Sequence, residues 1–578
     1  MIKKNPYCLF LFWLAIFGIL FAFLQTNARF YFYYIEQFQQ FQNTWYYLKT
    51  NLFEPAGGFS IVVSGFLNSF FLYPYAGAAI TAALLTVVGW LTNCITRRIS
   101  PQAELLPLCL LPVIVLLFMH FDSNYLPFGT VAFILMLVAL NLILLGKTFH
   151  LRLICHLIAI VSLFYTAGSI FMLYASIVTI YELFNISKRR YLVVLVLIAA
   201  FFIGFACVHF GKHTTYRYSF LPDNYFNISF KPGILLYLSW LSILFIVTAA
   251  CLIRKMKKTL VIIQLLLVAG LGWWGIQKYT SKVNSDILEL DYYCRTAQWD
   301  KVTGYNKGSL NNYLSMCYLN IALAQKGELG DKAFMYDQAG MRGILYPWDK
   351  TANSSQLLSE IYFAMNDIAL SQKMAFESYI ITGNPRMLKR LVQTNLIYGA
   401  YAVAEKYISR LEEMRGYRNW AKAHRRFLNN DPAIEQDELL GSKRKSLEKV
   451  NYLSRTEGID IDLQNLAIFN LSERNAIEYA GVIYLLNKDM DRFRHLIEAN
   501  YKTDILLKLP ISFQEAILFL SLEEEEAEYW LQYDIPKATV QRFAEFIKTL
   551  STQNNSPQLQ KSMKSLYWNT YWYYYVFK

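Results

Sequence analysis

Nine apolar segments in the first 280 residues constrain the fold of this chain more than any other feature. They cover residues 7–24, 75–95, 105–119, 127–146, 151–164, 170–184, 191–208, 234–253 and 259–277. A helix needs about 20 mostly apolar residues to cross the hydrocarbon core of a bilayer. The pattern therefore predicts an all-α protein that begins with a transmembrane domain, residues 1–280, built as a polytopic helix bundle of about nine spans.

The charged residues divide the chain at the same point. Residues 1–280 contain 19 Lys and Arg but only six Asp and Glu, whereas the remaining residues contain 36 of each. The formal charge of +13 therefore belongs to the apolar part, where basic residues mark membrane topology. Thirteen of the 19 lie on one side of the predicted spans, which places the N-terminus in the cytoplasm and the second half outside it. This distribution excludes a soluble enzyme and predicts no nucleic-acid partner.

The fifth and sixth predicted spans are shorter than the others. Residues 151–164 and 170–184 form spans of only about 14–15 residues. Short spans leave a dent in the bilayer or line a water-filled cavity, unless the helices extend beyond the predicted bounds. His156 is a polar residue within the fifth span, which marks either a functional site or a hydrogen bond between helices.

In the second half, apolar residues recur at the three- and four-residue spacing of amphipathic helices. Four turns of one form are 30, 39 and 33 residues apart, close to the 34-residue period of tetratricopeptide repeats. These turns are centred on Trp299, Leu329, Ile368 and Tyr401. A fifth turn of this form covers residues 487–491. The pattern predicts an extracytoplasmic, tetratricopeptide-like α-solenoid.

This periodicity divides the second half into three parts. The repeats cover residues 281–428, a charged interruption covers 429–461, and a second helical region covers 462–578. The C-terminal residues 567–575 are too aromatic for a free tail, so they pack on the solenoid or at the membrane interface. The residues expected to be buried between repeat helices are Trp299, Leu323, Ala333, Tyr362 and Ala404.

The cysteines show no metal-ligand pattern. The chain has eight cysteines but no CxxC pair and no Cys/His cluster with zinc spacing, so we expect no metal site of this type. Only Cys294 and Cys317 lie in the second half. Outside the cytoplasm they could form a disulfide, and two packed thiols are the alternative.

Charged residues in the predicted outer loops are the remaining candidates for chemistry, because no nucleophile elbow, P-loop, dinucleotide fingerprint or zinc-protease motif is present. Glu36 lies in residues 33–45, whose pattern predicts an interfacial helix, and a second such helix is predicted over 59–73. The other candidates lie in later outer loops: His120, Asp122, Lys212, His213 and Arg217.

Each candidate also has a structural interpretation. Glu36 could cap an interfacial helix. His120 and Asp122 could cap the start of the fourth span, and the basic residues of the fourth outer loop could be lipid-headgroup anchors.

These features resemble the GT-C superfold of integral-membrane glycosyltransferases. The shared features are an acid in a first outer loop built of two juxtamembrane helices, a second acid between spans three and four, two short middle spans and an extracytoplasmic C-terminal domain. The resemblance implies that Glu36 is the catalytic base, which takes the proton of an acceptor hydroxyl while a sugar leaves a polyprenyl-phosphate donor. The sequence has Glu-Gln at this position, where commoner members have an Asp-Glu or Asp-Asp pair.

The same resemblance implies roles for the other candidates. Asp122 is the second catalytic acid, binding the acceptor or a divalent metal, and no other cofactor is expected. The resemblance also implies residues that hold the donor phosphate or line its site. These substrate-binding residues are His120, Lys212, His213 and Arg217.

The chain also resembles, from end to end, a group of multi-pass membrane proteins of Gram-negative gut bacteria with helical-repeat C-termini. The resemblance rests on the stretches 36–39 (EQFQ), 55–59 (PAGGF), 509–516 (LPISFQEA) and 569–575 (NTYWYYY). It implies a bacterial inner-membrane protein with a periplasmic C-terminal domain, and it implies no particular activity.

Two functions from different classes follow. The first is a membrane glycosyltransferase that transfers a sugar from a polyprenyl-phosphate donor to an extracytoplasmic acceptor. Its expected partners are the membrane lipid and the polyprenyl-phosphate sugar. The alternative is a non-enzymatic, membrane-anchored scaffold whose tetratricopeptide-like repeats bind an envelope protein. A transporter has less support, because the predicted spans contain no pairs of acids.

Overall fold

The computed structural model describes residues 6–38, 40–146, 148–185, 190–211, 215–253, 258–305, 312–445, 447, 474–522, 528–552 and 557–578. Over these residues the chain is all-helical and contains no strand, so the predicted all-α class is confirmed. The chain divides into two compact units. One consists of Met1–Leu288 with Glu413–Gly416, and the other of Glu289–Glu412 with Tyr417–Lys578.

The described part of the first unit contains thirteen complete α-helices. They are α1 (Pro6–Asn27), α2 (Arg29–Glu36), α3 (Trp45–Leu48), α4 (Gly58–Asn68), α5 (Ala76–Ile99), α6 (Leu111–Met119), α7 (Phe128–Ile143), α8 (Phe149–Ala167), α9 (Ile170–Asn185), α10 (Val194–His209), α11 (Tyr216–Phe220), α12 (Ile234–Leu252) and α13 (Lys258–Tyr279).

Six helical segments of the described chain are long and apolar enough to cross a membrane, which is compatible with a membrane protein. They correspond to α1, α5, α8, α12, α13 and α10 with the 3₁₀ turn before it. The other three predicted spans are also helical, but α6, α7 and α9 are shorter. Each apolar segment thus contains a helix, and six of these helices meet the length expected of a span.

For the fifth predicted span, the second alternative holds: the helix extends beyond the predicted bounds. α8 has 19 residues, because it begins before and ends after the predicted 151–164. Its last turn includes Thr166, whose hydroxyl donates to the carbonyl of Ser162 at 2.8 Å, so a polar residue continues the helix. The helix ends at Gly168, which has a φ of +83°. The following helix, α9, has 16 residues, close to the predicted length.

The predicted interfacial helix over 33–45 was also wrong, because α2 ends at Glu36 and α3 begins only at Trp45. The side chain of Gln40 folds back and donates to the carbonyl oxygen of Glu36, an acceptor that a continuing helix would use for its own backbone. The segment of the second predicted interfacial helix is helical as α4, which is shorter than predicted.

The described part of the second unit is also helical. The helices are α14 (Lys282–Arg295, which crosses the unit boundary), α15 (Trp299–Tyr305), α16 (Tyr313–Gln325), α17 (Leu329–Lys332), α18 (Ala352–Ala364), α19 (Ile368–Thr382), α20 (Pro385–Ile397), α21 (Tyr401–Glu412), α22 (Arg418–His424), α23 (Asp431–Gln436), α24 (Glu438–Lys445), α25 (Arg474–Asn487), α26 (Met490–Asn500), α27 (Ile511–Leu520), α28 (Lys537–Thr552), α29 (Pro557–Tyr567) and α30 (Tyr571–Phe577).

One turn geometry joins the helix pairs at all five predicted turns. In each turn the first or second residue after the helix has a positive φ, and the N–H of the following residue donates to the carbonyl five residues earlier, at 2.8–2.9 Å. This is the Schellman motif, which satisfies the free carbonyls of a helix end. The positive-φ residues are Ala297, Gly327, Asn366, Gly399 and Lys488.

The expected burial holds at four of five positions. Leu323, Ala333, Tyr362 and Ala404 are buried. Trp299 is only half-buried, because it starts α15 directly after the turn, where the chain is close to the surface.

The first part of the predicted interruption, residues 431–445, consists of two short helices, and most of the rest lies outside the described residues. Its basic residues have structural partners. Lys443 donates to the carbonyl of Phe363 at 2.8 Å, and Arg444 donates to the carbonyls of Leu396 and Ile397 at 2.7 and 3.0 Å. These carbonyls belong to the C-terminal turns of α18 and α20, where a positive charge is favourable.

A buried ion network joins residues of α14, α16, α18 and α20 within the second unit. Arg386 donates to Asp291 at 2.7 Å and to Glu360 at 3.0 Å, and all three side chains have little exposure. Arg390 forms a second ion pair with Glu360, and Tyr318 donates to Asp291 at 3.0 Å. The network therefore pairs two carboxylates with two guanidinium groups in a largely dry environment.

The aromatic C-terminus packs within the second unit. This agrees with the prediction that it packs on the helices of the second half. Tyr571 and Trp572 are completely buried. The backbone N–H of Tyr571 donates to the Glu515 carboxyl at 2.7 Å, and Trp572 Nε1 donates to the Glu515 carbonyl at 2.8 Å. Cys294 and Cys317 are free, buried thiols, which is the second of the two alternatives for this pair.

Glu515 should make the stability of the protein depend on pH. Burial raises its pKa to about 8, well above that of an unfolded chain, so the folded state holds a proton that the unfolded state has lost. This contribution to stability is complete below about pH 4.5 and is lost as the pH rises through 8, at up to about 1.4 kcal/mol per pH unit.

We expect the thermal unfolding midpoint of the full-length protein in detergent, measured by tryptophan fluorescence, to fall between pH 6 and 9. Glu515→Gln, which is neutral at every pH, should reduce this fall. Glu435→Gln removes an exposed carboxylate and is the control, because its pH profile should match that of the wild type. An equal fall in Glu515→Gln would contradict the prediction.

Candidate functional site

Glu36 is the last residue of α2, and its side chain is completely buried. Gln40 Nε2 donates to Glu36 Oε1 at 2.6 Å, and the side chains of Gln37 and Gln40 are themselves buried. A buried carboxylate needs hydrogen-bond donors, and the Gln40 amide supplies one without bringing a positive charge. This hydrogen bond orients the buried carboxyl group at the end of α2.

α4, which follows α2 and α3 in the chain, has a buried polar face. Ser60, Ser64 and Asn68 follow one another at four-residue spacing and are all buried, and Asn68 Nδ2 donates to Ser64 Oγ at 3.3 Å. Gly65 of the same helix lies close to the backbone that follows Glu36, since a Cβ there would be 3.9 Å from the carbonyl carbon of Gln40. The segments between α1 and α5 therefore form one layer with polar groups inside it.

Asp122 lies in the loop between α6 and α7 and is partly exposed. Its Oδ1 accepts a hydrogen bond from the backbone N–H of Asn124 at 2.9 Å, which closes an Asx turn. The neighbouring Phe121 ring packs against Tyr31 of α2, with ring centroids 5.6 Å apart. Burial raises the pKa of Tyr31 to about 12, and the negative charge of Asp122 adds to this effect. The loop of Asp122 thus packs on the helix that ends in Glu36.

His120 begins the same loop, and it is buried. One ring nitrogen, Nε2, lies 3.1 Å from the hydroxyl of Thr130, which in turn is 2.8 Å from the hydroxyl of Tyr125. Burial lowers the pKa of His120 to about 4, so the ring is neutral at physiological pH. His120 can therefore orient the loop through hydrogen bonds, and it supplies no positive charge to a phosphate.

Three substrate-binding residues were predicted in the fourth outer loop: Lys212, His213 and Arg217. Of these, Arg217 is among the described residues, and Lys212 and His213 lie outside them. The guanidinium of Arg217 is 62% exposed and lies 2.9 Å from the buried carboxylate of Asp223. Tyr237 of α12 completes the group, because it accepts from Arg217 at 2.8 Å and donates to Asp223 at 3.0 Å. The pair fixes one edge of the guanidinium and leaves much of it open to an anion.

The loops that contain Asp122 and Asp223 are joined by hydrogen bonds. The N–H of Asn227 donates to the carbonyl of Asn124 at 2.9 Å, and Tyr125 pairs with Phe226 in an isolated bridge. The two acids predicted to be catalytic and the Arg217 loop therefore belong to one connected layer of the first unit.

Two close backbone approaches fasten this layer to the turn between α8 and α9. The N–H of Gly57 donates to the carbonyl of Phe164 at 3.0 Å, and a Cβ at Gly57 would be only 2.9 Å from the backbone nitrogen of Gly168. A Cβ at Gly168 would meet the side chain of Asn224 at 2.8 Å. Both glycines also have a φ of +83°, so no other residue fits here without strain.

A second charged cluster, which the sequence analysis missed, lies between α8 and α9. Arg152 forms two hydrogen bonds with the fully buried Glu182, at 2.7 and 3.0 Å. His156 Nε2 is 3.6 Å from the same carboxylate, and its Nδ1 is 2.7 Å from the hydroxyl of Tyr174. His156 therefore joins an interhelical polar chain, which was one of its two predicted roles. The signal was present in the sequence, since Glu182 is the only acid within a predicted span.

Among the described residues, no group of three or more His, Cys, Asp or Glu side chains is arranged to hold a metal ion. Carboxyl groups such as those of Glu36 and Asp122 can transfer protons and stabilise positive charge.

A family model matches the chain over residues 3–578, and its description is "Family of unknown function (DUF6057)". The match includes both structural units, so the chain belongs to this family. No curated protein and no solved structure matches the chain.

Proposed function

We propose that this member of the DUF6057 family is a membrane glycosyltransferase of GT-C type, which transfers a sugar from a polyprenyl-phosphate donor to an extracytoplasmic acceptor. The observation that carries the proposal is the packing of the Asp122 loop against α2, the helix that ends in the buried Glu36. Two carboxyl groups on different outer segments, one buried and one partly exposed, suit a reaction that moves a proton and builds positive charge.

In the proposed reaction, the acceptor hydroxyl oxygen attacks the anomeric carbon of the donor sugar. The bond between that carbon and the phosphate oxygen breaks, and the polyprenyl phosphate leaves with the electron pair. Glu36 accepts the proton of the attacking hydroxyl. Asp122 orients the acceptor, and the exposed part of Arg217 stabilises the leaving phosphate.

The proposal assigns the protein to the bacterial inner membrane, with the second unit in the periplasm. A reporter that is active only outside the cytoplasm should therefore be active when fused after Lys278, because 13 of 19 basic residues favour that orientation. A fusion after Arg98, in a predicted cytoplasmic connection, is the matched control and should be inactive. A cytoplasmic signal at Lys278 would rule out both the orientation and the outer-face site.

The experiment that tests the function compares envelope glycans in strains with and without the gene. We expect one glycan to lose a sugar in the deletion strain, the polyprenyl-linked donor to accumulate, and the wild-type chain to restore both. Unchanged glycans and donor levels would contradict the proposal.

The five repeated turns of the second unit favour a second candidate function, a membrane-anchored scaffold with tetratricopeptide-like repeats that bind an envelope protein. A scaffold needs the repeat surface and not the acids of the first unit. It would therefore retain its phenotype when Glu36 is neutralised and lose it when the repeats are disrupted.

A further inference from the structure

A cavity of about 480 Å³ lies in the second unit between α29, the C-terminal segment and residues 334–338. This size falls in the range of small-molecule sites. Its walls include the aromatic side chains of Phe334, Tyr336, Tyr573 and Tyr574. The function proposed above makes no use of this cavity.

One face of α29 supplies the polar side of the cavity. Lys561, Lys564 and Ser565 line it, followed by Trp568 immediately after the helix, at the spacing of residues that share a helix face. Both lysines are exposed, and neither has a carboxylate within ion-pair distance among the residues that the structure describes. Trp568 is 44% exposed although it is large and aromatic.

The opposite side contains one balanced ion pair. Lys578 Nζ lies 2.6 Å from Asp337 Oδ1, and both residues line the cavity. The described side chains of the lining include three lysines and one acid, which leaves an excess of two positive side-chain charges. This excess belongs to Lys561 and Lys564 and favours an anionic ligand.

The cavity walls are held by packing and hydrogen bonds. Tyr574 donates to the carbonyl of Leu486 at 2.9 Å, and its ring packs edge-on against Phe334 at 5.2 Å. Gln338 is buried and donates to the carbonyl of Ala333 at 2.7 Å. Because the walls are already fixed, little conformational entropy is lost when a ligand binds, and this favours binding.

We propose that this cavity binds an anionic saccharide, with a sugar ring on Trp568 and its carboxylate or phosphate group on Lys561 and Lys564. The C–H bonds of a sugar ring carry partial positive charge, and they pack favourably on the negative face of an aromatic ring. A small inorganic anion would use the lysines and gain nothing from the aromatic walls. An apolar ligand would gain nothing from the lysines.

The test is calorimetric titration of the full-length protein in detergent with glucuronate, glucose 1-phosphate, glucose and inorganic phosphate. We expect both acidic sugars to bind more tightly than either glucose or phosphate. Comparison of the two acidic sugars shows which anion the lysines prefer. Equal affinities for phosphate and glucose 1-phosphate, or no binding of either acidic sugar, would overturn the proposal.

Three variants locate the binding. The double substitution Lys561→Ala and Lys564→Ala should weaken binding of the acidic sugars about 10–100-fold, because hydrogen bonds to charged groups are lost. Trp568→Ala should weaken sugar binding about 10-fold and leave phosphate binding unchanged. Lys508→Ala removes an exposed lysine outside the cavity and is the matched control. Wild-type affinity in the double variant would show that the sugars bind elsewhere and that the proposal is wrong.

Discussion

Replacing Glu36 by glutamine is expected to lower the rate of sugar transfer about 10²–10⁴-fold, the usual cost of losing a general base. Glutamine has nearly the same shape and can still make a hydrogen bond with Gln40, but it cannot accept the proton of an acceptor hydroxyl. The variant should therefore insert in the membrane at normal levels and behave like a gene deletion in the glycan comparison. Donor turnover by the purified protein measures the same loss directly.

Glu54→Gln is the matched control for this variant, because Glu54 is an exposed acid in the same segment between α1 and α5. It should retain wild-type activity. Asp122→Asn should reduce activity without abolishing it if Asp122 orients the acceptor. A fully functional Glu36→Gln protein, together with loss of the phenotype when the repeats are disrupted, would reject the enzyme and support the scaffold.

Replacing Arg386 by methionine is expected to destabilise the second unit by about 3–5 kcal/mol, the cost of removing one partner from a buried ion network. Methionine fills much of the space but leaves the Asp291 carboxylate without its guanidinium partner. The loss corresponds to a fall of roughly 6–20 °C in the thermal unfolding midpoint of this unit. Tryptophan fluorescence of the full-length protein in detergent measures it.

Arg426→Met is the matched control, because Arg426 is 70% exposed and its ion pair with Asp437 is 3.9 Å long. Exposed pairs contribute little, so this variant should change stability by less than about 1 kcal/mol. Adding Asp291→Leu to Arg386→Met removes the unpaired carboxylate and should restore part of the loss. An Arg386→Met protein as stable as the wild type would show that the network is not important for stability.

The turns of the second unit show how far local sequence patterns can be interpreted. All five predicted turns are present, including those with Ala297 and Lys488 in the conformation that usually favours glycine. These turns could be predicted from the sequence because a turn between two helices involves only neighbouring residues, and the spacing of the turns repeats along the chain. The end of α8 was misplaced because a helix can continue through polar residues that bond to its own backbone.

The candidate site shows the limit of this kind of prediction. The sequence predicts that Glu36 and Asp122 are acids of the outer loops, but only the structure shows that the Asp122 loop packs against α2. It also shows that Arg217 is paired with Asp223, and that Glu182 is paired with Arg152. The Tyr31–Phe121 and Arg152–Glu182 contacts join residues far apart in the chain, and no spacing rule encodes which helices become neighbours.

The sequence by itself determined the helical class, the apolar first part, the charge division and the repeated turns, because each depends on composition or on residues within one or two helical turns. Tertiary structure alone decided which polar groups are buried together. Helices with similar apolar surfaces can pack in many ways, and the arrangement that is adopted is the one that satisfies buried charges such as Glu182 and Arg386 at the same time.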